Sequence, residues 1–183
     1  MTTATNVLVR EATTAADDEL TVNLNIEYLT WFFLRFSEEL GISLPPVEEN
    51  DVRETLEKFR RPTGMVLLAE VNGESAGVVA IRTLRVGVLE IKRMYVRPGW
   101  RGARIGSALL DRALQEASSM GAVKVLLDTN KFMTDAQRLY RSRGFSERTP
   151  YEGTEIPTDL QNYWLFFEKD MTNDAVRVTP ANQ

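Results

Sequence analysis

Between Arg97 and Ser107 the chain reads RPGWRGARIGS. An apolar, β-type run ends at Val96, Pro98 and Gly99 break it, and a helical pattern starts almost at once after the glycines. Strand, glycine-bearing turn and helix start together make an anion site. The first amides of a helix have no carbonyl partner within it, and the helix dipole favours negative charge there. Arg97, Arg101 and Arg104 add three cations to the same short stretch, which suits a phosphorylated ligand. A second candidate is Glu90, in the run VLEIKRM, on one strand face with Lys92 and Met94 by period-two alternation. A carboxylate inside an interior strand is paired or functional. An ion pair with Lys92 or a nearby arginine and a general base both satisfy that pattern, and both stay open.

Composition narrows the chemistry. The chain has 183 residues, with no cysteine and no histidine. Disulfides, thiolate nucleophiles, the Ser-His-Asp triad and the common zinc sites are therefore excluded, and no metal is expected. The net charge of −4 argues against a nucleic-acid or anionic-membrane partner. A Walker A loop would need a lysine that Gly102 to Ser107 lacks, and Gly99, Gly102 and Gly106 do not have dinucleotide-fold spacing. The N-terminus has no charged segment followed by an apolar one, and the longest apolar runs, such as Trp31 to Leu34, fall far short of a bilayer span. A cytoplasmic location is the expectation.

The elements that must position these residues can be read in order. Val7 to Val9 reads as a strand. A helix follows from the N-cap Thr14, with Asp17 and Asp18 in its first turn, to Leu40, where Gly41 ends it. Ile26, Leu29, Phe33 and Phe36 form its apolar face, while Tyr28, Trp31 and Phe32 spill onto another, as core or as a ligand groove. A charged helix over Glu48 to Phe59 precedes a strand from Met65 to Val71, a turn at Asn72-Gly73 and a strand from Ser75 to Leu84. Val88 to Val96 feeds the phosphate loop. Helix 104–120 turns Ile105, Leu109, Ala113 and Ala117 to one side. A strand from Val123 to Leu127, a helix from Thr134 to Arg143, a strand from Phe145 to Arg148 and a strand from Tyr163 to Phe167 complete the pattern. The class is α/β (α+β): a mixed, mostly antiparallel sheet of six to seven strands with about four helices on its faces. A single domain is expected over residues 1–183, with 172–183 a loose tail.

In this order the chain resembles the GNAT superfamily of N-acetyltransferases. That family's phosphate loop reads Arg/Gln-x-x-Gly-x-Gly/Ala, and here Arg101 and Gly106 hold the first and last positions while Arg104 stands where glycine is usual. A second family feature, Ala-x-x-Leu-Tyr followed by Gly-Phe, stands as Ala136 to Tyr140 and Gly144-Phe145. The resemblance implies acetyl-CoA as co-substrate. Backbone groups of Met94, Tyr95 and Val96 would meet its pantetheine arm. Arg101, Gly102, Ala103, Arg104, Ile105, Gly106 and Ser107 would wrap its pyrophosphate, and Asn130 would sit near pantetheine or acceptor. It implies Tyr140 as the acid that protonates the leaving thiolate, and Glu90 as base by its similarity to the histone-acetyltransferase branch. With no cysteine, transfer would be direct, to a primary amine of a small molecule or peptide. Glu152, Glu155 and Asp159, with Tyr28 and Trp31, are candidates to attract that cationic amine. Many relatives are dimers, so a homodimer is admitted too. The rival reading is an acyl-CoA-binding sensor without turnover.

Overall fold

A computed structural model describes residues 6–172. Its elements are β1 (Val7–Glu11), α1 (Ala15–Leu40), α2 (Glu49–Leu56), β2 (Gly64–Val71), β3 (Glu74–Arg85), β4 (Val88–Val96), α3 (Ile105–Ser119), β5 (Lys124–Asn130), α4 (Thr134–Ser142), β6 (Ser146–Arg148) and β7 (Trp164–Asp170). The strands form a seven-stranded sheet in the order β1-β2-β3-β4-β5-β7-β6. The pairings β1–β2, β2–β3, β5–β7 and β6–β7 are antiparallel, and β4–β5 is parallel. Fold class and element order are those expected from the sequence. Of the tail expected over 172–183, all but Thr172 lies outside the described residues.

The chain divides into two compact units: Met1–Arg82 with Lys92–Ala113, and Thr83–Ile91 with Leu114–Gln183. In the first unit, Val22 and Leu24 of α1 and Val52 and Leu56 of α2 bury against Val66, Leu68, Val78 and Ala80 of β2 and β3, together with Phe59 and Tyr95. α1 runs unbroken, and its most buried face is not the expected one. Thr21, Val22, Leu24, Asn25, Phe32 and Phe36 are buried, whereas Ile26, Leu29 and Phe33 are half-buried. Two polar residues share that face: the Asn25 side-chain amide donates to the Thr21 carbonyl at 2.9 Å, while the Thr21 hydroxyl and the Asn25 side-chain oxygen have no hydrogen-bond partner among the described residues. Composition gives no sign of that bond. α3 follows the sequence pattern closely: Ile105, Leu109, Ala113 and Ala117 are buried, and Leu110 joins them.

In the second unit, Val88, Leu126, Tyr151 and Phe166 form a small core. β5 runs three residues beyond the expected Leu127. Asp128, Thr129 and Asn130 pair with Phe166, Leu165 and Trp164 of β7, and ladder pairing outweighs the weak strand preference of polar residues. Among the described residues, no helix is long and apolar enough to cross a membrane.

The start of α1 carries a capping box. The Thr14 hydroxyl accepts from the Asp17 amide, and the Asp17 carboxylate accepts from the Thr13 and Thr14 amides at 3.0 Å each. Arg10, on β1, adds a 2.7 Å ion pair to that nearly buried carboxylate. The Arg10 guanidinium and the backbone donors hold the Asp17 carboxyl well below the usual carboxylate range. Its contribution to stability is therefore full above the ordinary carboxylate range and is lost as pH falls toward the folded value. We predict that Asp17→Asn lowers unfolding free energy by about 2 kcal/mol at pH 7. The gap to the parent chain should narrow as pH falls below about 4, read by urea unfolding at each pH. A gap independent of pH would contradict the assignment.

Candidate active site

In the first unit the polypeptide leaves β4, turns through residues 97–104 and enters α3. The Ala108 amide bonds to the Arg104 carbonyl at 3.0 Å. The amides of Ile105, Gly106 and Ser107 precede it in the opening turn, where a helix offers no carbonyl to its own N–H groups. Gly102 has φ +85° and open space where a Cβ would stand, so the turn can approach a ligand through its backbone. Arg104 has φ +61°. It takes the left-handed conformation that glycine adopts without cost, which accounts physically for a glycine preference at this point and leaves the arginine strained.

The three arginines of this stretch have different fates. Arg97 donates to both carboxylate oxygens of Glu27, at 2.9 and 2.6 Å, and to the Ser75 carbonyl at 2.9 Å. The pair with Glu27 raises its affinity for its proton. Its fork is committed to α1 and β3, so Arg97 drops out of the three cations expected for a phosphate. Arg101 lies over the Trp31 ring, 5.1 Å from its centroid, and its Nε donates to the Val96 carbonyl at 3.3 Å. This cation–π contact holds an exposed guanidinium in place beside the turn. Arg104 is exposed.

Met94, Tyr95 and Val96 form the end of β4 just before the turn. Within that strand, Arg93 interrupts the extended backbone with φ +56°. Gly77 of β3 explains how Tyr95 is accommodated, since a Cβ there would lie 2.5 Å from the Tyr95 carbonyl oxygen. The Tyr95 ring packs 5.7 Å from that of Tyr28, which in turn lies 6.4 Å from Trp31. Burial pushes the Tyr95 phenol up. Tyr28 and Trp31 thus line up behind the turn and its strand.

In the second unit, Val88 to Ile91 of β4 pair in parallel with Lys124 to Leu127 of β5, setting Glu90 opposite Leu126. Glu90 has no exposed surface. The Tyr151 hydroxyl lies 2.7 Å from Glu90 Oε1 and 3.1 Å from Asp128 Oδ2. Burial and the two carboxylates push the Tyr151 phenol far above its usual range, so it stays protonated. Tyr140 of α4 is buried, its ring 6.0 Å from both Phe145 and Phe167. Asn130 is buried at the end of β5. Its Oδ1 accepts from the Phe132 amide at 3.2 Å, while its Nδ2 has no hydrogen-bond partner among the described residues. A buried amide left unpaired costs free energy unless a ligand meets it. Glu152, Glu155 and Asp159 are exposed in the loop between β6 and β7.

The acetyltransferase (GNAT) family model matches residues 26–145. The chain belongs to the GNAT family. An uncharacterised N-acetyltransferase of Schizosaccharomyces pombe is 33% identical over 125 residues, covering 67% of this chain and 77% of that protein. An IAA acetyltransferase of Azospirillum brasilense is 36% identical over 130 residues, covering 70% and 81%. The fold matches that of a GNAT acetyltransferase from Staphylococcus aureus Mu50 with a TM-score of 0.70 at 18% identity, over 91% of this chain and 99% of the other. The protein is an N-acetyltransferase, and acetyl-CoA is the co-substrate of GNAT enzymes. In the first unit the residues present suit a phosphate group: the first turn of α3 has amides without an intrahelical carbonyl, and Arg101 stands beside the turn.

In this GNAT chain the sequence singles out the turn, the end of β4, Glu90, Asn130 and Tyr140 as candidates, and it gives less sign of Tyr151, Asp128 and Glu27, which the structure sets against Glu90 and Arg97. Tyr151 had one signal, an aromatic residue directly after Pro150 in an otherwise polar loop. Asp128 had none, because it read as the first residue past a strand. Replacing Arg104 by glycine removes left-handed strain at the cost of backbone entropy. We predict a net gain of about 0.5–1 kcal/mol in unfolding free energy, measured by chemical denaturation. A loss of that size would contradict the strain argument.

Proposed function

We propose that the protein transfers an acetyl group directly from acetyl-CoA to a primary amine of a small molecule or peptide. The observation that carries this reading is the turn from Arg101 to Arg104 running into the first turn of α3, whose amides have no carbonyl partner within the helix. In this reading the backbone and cations of Arg101 to Ser107 hold the pyrophosphate. Met94, Tyr95 and Val96 meet the pantetheine arm through their backbone, and Asn130 Nδ2 donates to it or to the acceptor.

Transfer needs a neutral amine. For a lysine-like amine of pKa near 10.4, deprotonation at pH 7 costs about 4.6 kcal/mol. Glu90 serves as the base that receives this proton, and burial keeps its carboxylate away from competing water. The nitrogen then bonds to the thioester carbonyl carbon and the C–S bond breaks. The departing thiolate takes a proton from the phenol of Tyr140. The chain has no cysteine to carry an acetyl-enzyme intermediate, which supports direct transfer. Glu152, Glu155 and Asp159 supply negative charge for a cationic acceptor.

The test is thiol release from acetyl-CoA against polyamines, amino acids, aminoglycosides and N-terminal peptides. We expect one class of amine to be turned over. In Tyr140→Phe, kcat should fall by about 10- to 100-fold, with little change in KM for acetyl-CoA. In Trp31→Ala, the reverse split is expected: KM for acetyl-CoA rises several-fold as Arg101 loses its platform. Undiminished turnover in Tyr140→Phe would remove the acid. Binding of acetyl-CoA with no turnover of any amine would favour the sensor.

A further inference from the structure

Tyr151 has one proton and two carboxylates. Its oxygen stands 2.7 Å from Glu90 Oε1 and 3.1 Å from Asp128 Oδ2. A phenol donates a single hydrogen bond, and an ionised carboxylate only accepts. With both carboxylates ionised, one contact is a hydrogen bond and the other sets two oxygen acceptors face to face. With one further proton on the chain, every contact is a hydrogen bond: a protonated carboxyl donates to the phenol oxygen, and the phenol donates to the other carboxylate. The arrangement therefore has an unloaded and a loaded state differing by one proton. A tyrosine that served only to fill space would need one acceptor.

The two ends differ in access. Glu90 has no exposed surface, whereas Asp128 is partly exposed. The link between them is rigidly framed. The Tyr151 ring meets Phe166 edge to face at 5.7 Å, within the cluster that includes Val88 and Leu126. Arg148 lies over the ring, 5.8 Å from its centroid. The charged groups of β5, β6 and β7 nearby, Lys124, Arg148 and Glu168, are joined in ion pairs of 3.1 and 2.6 Å.

We propose that Asp128, Tyr151 and Glu90 form a proton relay in which Asp128 exchanges the proton and Tyr151 is the positioning residue that conducts it to Glu90. The inference rests on the reading of Glu90 as base. The acceptor ammonium, directly or through water, gives its proton to the Asp128 carboxylate. Asp128 then protonates the phenol oxygen as the phenol proton passes to Glu90, leaving Asp128 ionised, Tyr151 neutral and Glu90 protonated. The neutral amine attacks the thioester, and the second nitrogen proton replaces the one Tyr140 gives to the thiolate. The relay discharges its proton to water through Asp128. Ammonium and thioester become amide, thiol and one released proton.

The first measurement is carboxyl carbon-13 NMR of protein labelled at aspartate and glutamate side chains, followed with pH. In the parent chain, Glu90→Gln should move the Asp128 titration midpoint by about one pH unit, as expected of coupled sites. In the Tyr151→Phe background the same substitution should move it by less than a third of that. No effect in the parent chain overturns the relay. An equal effect in both backgrounds, the mark of charge acting through space, also overturns it.

The second measurement is steady-state kinetics with acetyl-CoA and the amine turned over fastest in the panel, alongside melting temperatures. Tyr151→Phe and Asp128→Asn should each lower kcat at least tenfold, with KM for acetyl-CoA unchanged, and the double variant should lose no more than either alone. Lower melting temperatures with unchanged kcat would make the contact structural and overturn the relay. The two readings fail separately. NMR coupling with an active Glu90→Gln removes the base and keeps the linkage, whereas an inactive Glu90→Gln with uncoupled carboxyls keeps the base and removes the relay.

Discussion

A helix cannot pair its own first amides, and the site in the first unit depends on that constraint. α3 begins at Ile105, directly after a turn made of glycine, alanine and two arginines. The turn costs strain at Arg104, held at φ +61°. Its surroundings keep it in place. Gly77 lets β3 pass close to the Tyr95 carbonyl, and α1 grips the segment twice through Glu27 and Trp31, one helical turn apart. Glu27 takes Arg97 as a bidentate ion pair, and Trp31 takes Arg101 on its ring face. The first arginine fastens the backbone, and the second keeps its charge available to a ligand.

The second unit presents the complementary problem, a carboxylate with no exposed surface. A buried charge is tolerated only with partners, and Glu90 has Tyr151 at 2.7 Å. Tyr151 is itself held by Phe166 and Arg148. One loop residue thus partners a strand carboxylate distant from it in sequence. Asn130, at the end of β5, has the opposite character: its Nδ2 is buried and has no partner among the described residues.

The fold was legible because its signals are local. The Thr14 cap, the glycines that end helices at Gly41, Gly121 and Gly144, and the Asn72-Gly73 turn all take the backbone conformations their residue types favour. The apolar stripe of α3 needed only helical spacing. Much of the candidate site was legible for the same reason, since the turn and the tyrosine of α4 sit in contiguous motifs. What was not legible depends on tertiary pairing. Nothing local tells that Arg97 is spent on Glu27, that β5 continues through Asp128 because β7 pairs with it, or that Tyr151 turns inward while Glu152 and Glu155 stay exposed. The buried face of α1 was misread because it carries Thr21 and Asn25, whose one shared bond runs from the Asn25 amide to the Thr21 carbonyl, and apolar periodicity does not register polar residues on a buried face.

The central claim is that the turn and the start of α3 hold the pyrophosphate of acetyl-CoA. Isothermal titration calorimetry comparing acetyl-CoA with S-acetylpantetheine, which lacks every phosphate, tests it most directly. The account predicts that acetyl-CoA binds at least about 100-fold more tightly, and that its affinity falls as salt is raised, because backbone dipoles and Arg101 act on the phosphates. Equal affinities for the two compounds, insensitive to salt, would contradict it.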